Sequence, residues 1–297
     1  MDLVPLGPDF GVEIRGIALV EVASSDKAYQ TVRAAFEEHS VLLFRNEEIT
    51  DDLQAAFSRA FGPLERVKVG SEGEGTFYSR LHNIAADGSL VPETHRQALT
   101  ARANQLWHTD SSFKKTPALA SVLSARVVAP HGGDTELTST RQAWARLSPA
   151  MRSRLCDAVV AHSYAYSRDQ IDSALMTASE REALPPVRWR ITWRNPVNGR
   201  LALYIASHAY AVEGLGDAEA RALLDELIAE ATRPEFTYQH HWRPGDVLMW
   251  DNRATMHRGR PWPDNEPRSM VRTTISAIEA DGLSEVRPLE SLPADPN

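Results

Sequence analysis

With 297 residues, 42 % of them hydrophobic and 24 % charged, the chain is long enough to bury a large core and has the make-up of a globular protein. Its formal net charge of −8, from 32 basic against 40 acidic residues, argues against a general nucleic-acid binder, though not against a local basic pocket for a small anion. No apolar run approaches the roughly 18 residues of a membrane span, Met1-Asp2-Leu3-Val4-Pro5 lacks the basic and apolar regions of a signal peptide, and a single cysteine rules out an internal disulfide; we read the chain as cytoplasmic, without membrane or nucleic-acid partners.

The first third alternates short strands and helices. Val12-Glu13-Ile14 reads as a strand, Ala28 to Ser40 as a helix, and Val41-Leu42-Leu43-Phe44 as a buried strand. A second helix is predicted from Thr50 to Phe61, with Thr50 as N-cap, Asp51 and Asp52 in the first turn, and Gly62-Pro63 as its stop. From Ala118 onward strand-like runs recur at 120–124, 191–193, 201–205, 236–238, 247–250 and 271–275, separated by turn signals such as Gly132-Gly133-Asp134, Asn198-Gly199 and Pro244-Gly245-Asp246. Between them Asp217 to Thr232 keeps Leu223, Leu224, Leu227 and Ile228 at helical spacing. No repeat or linker divides the chain, so one domain over 1–297 is expected, with a fraying tail from about residue 287. Cys156 sits in a helix-like stretch without the neighbours of a nucleophile and reads as an inert structural thiol.

The chemistry-bearing text is Asn104-Gln105-Leu106-Trp107-His108-Thr109-Asp110, answered far along the chain by Trp250-Asp251-Asn252-Arg253-Ala254-Thr255-Met256-His257. His108, Asp110 and His257 are the parts of a 2-His-1-carboxylate triad, which leaves open positions on a non-haem Fe(II). If H-x-D lies on an extended strand, residues i and i+2 leave the same face and converge on one ion, and a rolled antiparallel sheet can bring His257 alongside. An H-x-D alone is common, and a distant histidine adds little by itself. A different divalent metal serving hydrolysis or isomerisation, or a non-catalytic ligand-binding barrel, stays open on these residues alone.

Further text narrows the field. Trp250-Asp251-Asn252-Arg253 with His257, followed by Arg268 and Arg272, resembles the C-terminal pattern of the taurine dioxygenase family of Fe(II)/2-oxoglutarate-dependent oxygenases. Residues 104–113 and Gly132-Gly133-Asp134-Thr135-Glu136 are similar to its 2,4-dichlorophenoxyacetate dioxygenase branch. Phe61-Gly62-Pro63-Leu64-Glu65 and Val212-Glu213-Gly214-Leu215 extend the likeness over nearly the whole chain. The resemblance implies a mainly β fold with surrounding helices, a double-stranded β-helix or jelly roll with the triad at its open end. It implies Fe(II), 2-oxoglutarate as cosubstrate and dioxygen. It also implies a small anionic substrate, an aryloxyalkanoate first, cleaved to a phenol and an oxo acid, and an alkylsulfonate or other carboxylate second.

By family position Arg268, with Thr135 adding a hydroxyl, takes the far carboxylate of 2-oxoglutarate; a planar guanidinium matches two oxygens better than an ammonium does. Arg272, four residues on, should share Arg268's face of a strand and meet the substrate's anionic group. Lys68, Asn104 and His208 are the remaining substrate candidates by the same resemblance. Trp107 and Trp250 read as packing around the site, and His82, His95, His131, His162, His240 and His241 as structural or surface residues. The stretches Ala85 to Pro92 and Thr94 to Arg102 track the branch least and are expected to be loops that form a lid. Relatives of this kind imply a homo-oligomer.

Overall fold

A computed structural model describes residues 1–45, 47–67, 73–85, 87–91 and 96–288, with the backbone alone at 96–98. Strand β1 (Asp2–Pro5) pairs antiparallel with β2 (Val12–Arg15), and helices α1 (Leu19–Ser24) and α2 (Asp26–His39) lead to β3 (Val41–Phe44) and then α3 (Asp51–Phe61). The chain continues through β4 (Ser79–His82), α4 (Arg96–Ala103), β5 (Ala118–Val127), β6 (Thr135–Ser139), α5 (Thr140–Arg146), α6 (Pro149–Leu155), β7 (Val159–His162) and α7 (Tyr164–Asp169). Then come α8 (Ala178–Ala183), β8 (Val187–Arg190), β9 (Thr192–Arg194), β10 (Leu201–Leu203), β11 (Ala209–Val212) and α9 (Asp217–Ala231). The last elements are β12 (Thr237–His240), β13 (Val247–Asp251), β14 (Thr255–Gly259), β15 (Ser269–Ser276) and α10 (Leu283–Val286).

Local chemistry explains the helix ends. The Ser25 hydroxyl accepts from the Ala28 amide, so α2 starts two residues before the Ala28 predicted from periodicity, and Ser40 closes it in the left-handed region at φ 63°. Thr50 caps α3 as predicted, accepting from the Leu53 amide at 3.1 Å, with Asp51 and Asp52 facing the positive end of the helix. α9 also forms where its leucines predicted it.

A seven-stranded sheet runs β1-β2-β3-β13-β5-β15-β4, and a three-stranded sheet β12-β6-β14 lies opposite it. Alternation sets the two faces of the large sheet. Val41, Leu43, Leu123, Leu248, Trp250 and Met270 point to one side and pack with Leu137, Tyr238 and Trp242 of the smaller sheet and its flank. Leu42, Phe44, Val122, Val247 and Met249 point to the other and meet Phe36, Phe57 and Phe61 from α2 and α3. Burying each large apolar side chain in this way is worth about 1.5–3 kcal/mol.

The architecture is a mixture of helix and strand rather than mainly β, since among the described residues α1, α4, α5, α7, α8 and α10 form where periodicity had predicted no helix. The stretch expected to be a second lid loop instead carries α4, and in the first the Ala85 amide donates to Ser89 O at 2.7 Å. Ala86, residues 92–95 and the tail from 289 lie outside the described residues. No helix among the described residues is long and apolar enough to cross a membrane.

Candidate active site

Two imidazoles meet because their backbones do. His108 and His257 exchange both amide hydrogen bonds, at 2.9 and 2.8 Å, in an isolated antiparallel bridge at the middle of β14, and their ring centroids stand 4.1 Å apart. The H-x-D stretch is therefore not the regular strand that the sequence suggested. Past the bridge the chain turns at Asp110, and Ser111 takes a φ of 56°. The carboxylate is aimed by side chains instead of by strand alternation. Ser121 of β5 donates to Asp110 Oδ2 at 2.6 Å, and Arg272 of β15 donates to Oδ1 at 2.6 Å.

Asn252 is the hub that periodicity and motif matching left without a role. Its Oδ1 accepts from the Asp110 amide and from the Trp250 indole, each at 3.1 Å; its amide nitrogen donates to Ser121 at 3.0 Å, and its carbonyl accepts from Thr109 at 2.7 Å. The turn between β13 and β14 thus holds the H-x-D segment directly. Next to it, Arg253 is 2 % exposed and pairs with both oxygens of Asp251 at 2.9 Å and with Glu37 at 2.7 Å. In Trp250-Asp251-Asn252-Arg253, Trp250 and Asn252 serve the site, while Asp251 and Arg253 anchor the turn.

Ligand atoms of His108, Asp110 and His257 all lie within 4.8 Å of one another, and all three residues are buried. Burial pulls both imidazoles below their ordinary range, so they are neutral, the form that ligates a metal. Burial alone would push Asp110 up, but Arg272, then His257 and His108, outweigh it and hold the carboxyl well below its usual range. Two neutral nitrogens, one anionic oxygen and an open side toward a cavity fit ferrous iron.

Arg268 comes just before β15 rather than on it, and the register shifts between Ser269 and Met270. Arg268 packs over the Trp262 ring at 4.9 Å and donates to Gly133 O at 2.9 Å, whereas Arg272 reaches the metal-side cavity. Arg268 is 8 % exposed, and among the described residues no carboxylate pairs with it. Burial pulls its pKa down to about 10, against a smaller opposing effect of Asp134, which leaves it charged at neutral pH. Thr135, at the start of β6, is buried, and its hydroxyl oxygen accepts from the Trp242 indole at 3.0 Å. That bond leaves the Thr135 proton free to donate elsewhere.

A cavity of 120 Å³ opens beside His108 and Asp110. Asn104, His208 and Arg272 line it, as the sequence led us to expect; Lys68 lies outside the described residues. His208 is held by Ser167 at 2.8 Å, stands edge-on to His108 at 6.4 Å, and is kept neutral by burial. Phe113, Tyr164 and Arg168 share the cavity wall, and the last two carried no signal readable from spacing, because α7 reaches the site only through the fold.

Trp250 packs on His257 at 4.4 Å, and Trp107 lies under Arg258, both in the packing roles read from sequence. His162 and His240 are buried core residues, while His131 and His241 pair with Glu266 and Asp134 at the surface. Cys156 is exposed at the end of α6, not buried, and Asp157 pushes its thiol up, away from nucleophilic use.

Comparison with known proteins places the whole chain in one family. The family model for taurine catabolism dioxygenase TauD, TfdA family matches residues 2–274. An α-ketoglutarate-dependent 2,4-dichlorophenoxyacetate dioxygenase of Cupriavidus pinatubonensis is 39 % identical over 91 % of this chain and 96 % of its own length. An (S)-phenoxypropionate/α-ketoglutarate-dioxygenase of Sphingobium herbicidovorans is 31 % identical over 94 % of this chain and 96 % of its own. The crystal structure of AAD-2 in complex with Mn(II) and N-oxalylglycine superposes with a TM-score of 0.88 at 34 % identity, covering 98 % of this chain and all of that one. With a family model spanning most of its length and relatives this similar end to end, the chain belongs to the taurine catabolism dioxygenase TauD, TfdA family.

Proposed function

We propose that this dioxygenase uses Fe(II), 2-oxoglutarate and dioxygen to hydroxylate a small anionic substrate, an aryloxyalkanoate cleaved to a phenol and an oxo acid. The observation that carries the reading is the cavity beside the triad, in which cationic Arg272 and the aromatic side chains of Phe113, Tyr164 and Phe77 line one small space. Relatives whose names specify 2,4-dichlorophenoxyacetate and phenoxypropionate support the substrate class.

His108, Asp110 and His257 hold the iron. Arg268 and Thr135 take the far carboxylate of 2-oxoglutarate, which gives the buried guanidinium a directly paired carboxylate that it lacks among the described residues. When bound, iron with 2-oxoglutarate and dioxygen supplies the oxidant and leaves succinate and carbon dioxide. The chain's own share is to neutralise the substrate's charge, present one C–H of the carbon between ether oxygen and carboxylate, and keep bulk water out. Hydroxylation at that carbon gives a hemiacetal, which collapses to the phenol and, for an aryloxyacetate, glyoxylate. Asn104 and His208 shape the cavity, and Lys68 is a further candidate for the substrate's carboxylate by the resemblance alone.

The sandwich of large and small sheets is read as a double-stranded β-helix, one oxygenase unit over 1–297, working in the cytoplasm as a homo-oligomer. Light scattering checks the oligomer. The activity is tested by incubating protein, Fe(II) and 2-oxoglutarate in air with a panel of aryloxyalkanoates and alkylsulfonates. Succinate and phenol should appear together with the aryloxyalkanoates. Succinate with alkylsulfonates alone would overturn the substrate class.

A further inference from the structure

The short helix α7 is positioned by Ser163, whose hydroxyl accepts from the Tyr166 amide at 3.2 Å. Tyr164 and Arg168, four residues apart, therefore share one face of it, and both line the cavity beside the triad. The Arg168 guanidinium stacks 4.4 Å from the Tyr164 ring centroid; Tyr164 stands 4.4 Å from Phe113, and Phe113 4.8 Å from His208. An aromatic wall thus ends in a cation. Arg168 is only 8 % exposed, yet among the described residues no carboxylate pairs with it, and its Nε has no hydrogen-bond partner.

A guanidinium so far out of water is costly without a counter-ion. The carboxylates that line this cavity are engaged elsewhere. Asp110 accepts from Arg272 and Ser121, and Glu65 is held by Lys114. Arg272 is likewise committed, since its Nη1 lies 2.6 Å from Asp110 Oδ1 and thereby steadies a metal-ligand carboxylate. Among the described residues Arg66 bonds the Gly75 carbonyl and stacks on Phe77, whereas Arg168 has a nine-tenths buried guanidinium with no anionic partner.

We propose that Arg168 is the residue that grips the substrate's carboxylate, while Arg272 contributes field to the cavity but serves mainly to position Asp110. The proposal rests on the anionic-substrate reading above and deepens it. A small molecule with a carboxylate on Arg168 finds Phe113, Tyr164 and His208 as neighbours for its aryl group, so one wall reads both halves of an aryloxyalkanoate.

The test compares phenoxyacetate with its uncharged amide, phenoxyacetamide, in the iron- and 2-oxoglutarate-loaded enzyme. Arg168→Met keeps an aliphatic side chain against Tyr164 and removes the charge; Arg168→Lys keeps a charge. A lost charge-assisted contact raises KM for the acid roughly 10- to 100-fold in Arg168→Met. KM for the amide and the affinity for 2-oxoglutarate, read from the anaerobic visible band, should stay within about twofold, and Arg168→Lys should recover part of the acid preference. An unchanged KM for the acid, or an equal rise for acid and amide, overturns the proposal, because the second pattern is that of packing alone. If Arg168→Met loses the band, Arg168→Lys decides: a restored band with acid preference supports the role, and a restored band without it rejects it. Should the wild-type protein turn over no carboxylate at all, the substrate reading itself fails and this proposal with it; turnover that is indifferent to Arg168 fails the proposal only.

Discussion

His108 Nδ1 lies 2.7 Å from the Leu106 carbonyl oxygen, so that nitrogen carries the proton and Nε2 is the one offered to a metal. His257 turns its Nε2 to within 3.6 Å of Asp110 Oδ2, which completes a face of three donors. Asp110→Ala should therefore abolish the visible band formed anaerobically with Fe(II) and 2-oxoglutarate; a band of normal intensity rejects Asp110 as a ligand. Arg268 carries a different burden, a buried charge in search of a carboxylate. Arg268→Met should weaken 2-oxoglutarate binding by about 1.5–3 kcal/mol, roughly 10- to 150-fold in titrations of the same band, with Fe(II) binding retained. The identities of these residues were legible in the sequence because ligand chemistry admits so few side chains. What aims them was not: Ser121 and Asn252 are ordinary residue types whose roles depend on where β5 and the β13–β14 turn lie.

Among the elements, the Gly132-Gly133 turn before β6 shows how a loop makes room for a cation. Gly133 has φ of +70°, and a Cβ there would stand 2.9 Å from Arg268 Nε and 3.1 Å from its Cδ. Gly199 has φ of +72°, with nothing within 4 Å of a Cβ. Both alanine variants pay the left-handed backbone cost of about 1–2 kcal/mol, but only Gly133→Ala should also shift Arg268 and weaken 2-oxoglutarate binding. Equal losses of affinity in the two variants would contradict a fitted Gly133–Arg268 contact. The turn itself was visible as a glycine pair. The bend at Asp110 was not, since alternation reads H-x-D as strand and cannot foresee a bridge that ends after one residue.

Across the molecule, the site hangs on a buried ionic cluster well away from the cavity. Glu37 of α2 accepts from Arg253 at 2.7 Å, from Arg33 and from Asn195, tying the helical layer to the turn that carries Asn252. Burial would raise the Glu37 carboxyl, but Arg253 and then Arg33 dominate and hold it below its ordinary 4.5. Its contribution is therefore present above pH 4.5 and lost as pH falls through the lower folded value. Glu37→Ala should destabilise the protein by about 3–5 kcal/mol in denaturant unfolding, since Arg253 and Arg33 would be left facing each other. A loss below about 1 kcal/mol would show that water or repacking compensates, contrary to the burial seen here.

By itself the sequence picked out His108, Asp110 and His257 as candidate metal donors, the two arginines of the C-terminal segment, the helices α2, α3 and α9, and the alternating strands. Each of these is set by local chemistry or short periodicity, which a linear text preserves. Only the tertiary structure decided that Arg268 packs on Gly133 while Arg272 reaches Asp110, that Asn252 braces Asp110, and that α7 brings Arg168 and Tyr164 to the cavity. Those outcomes depend on contacts between segments distant in the chain, where the position of one element is fixed by the packing of several others.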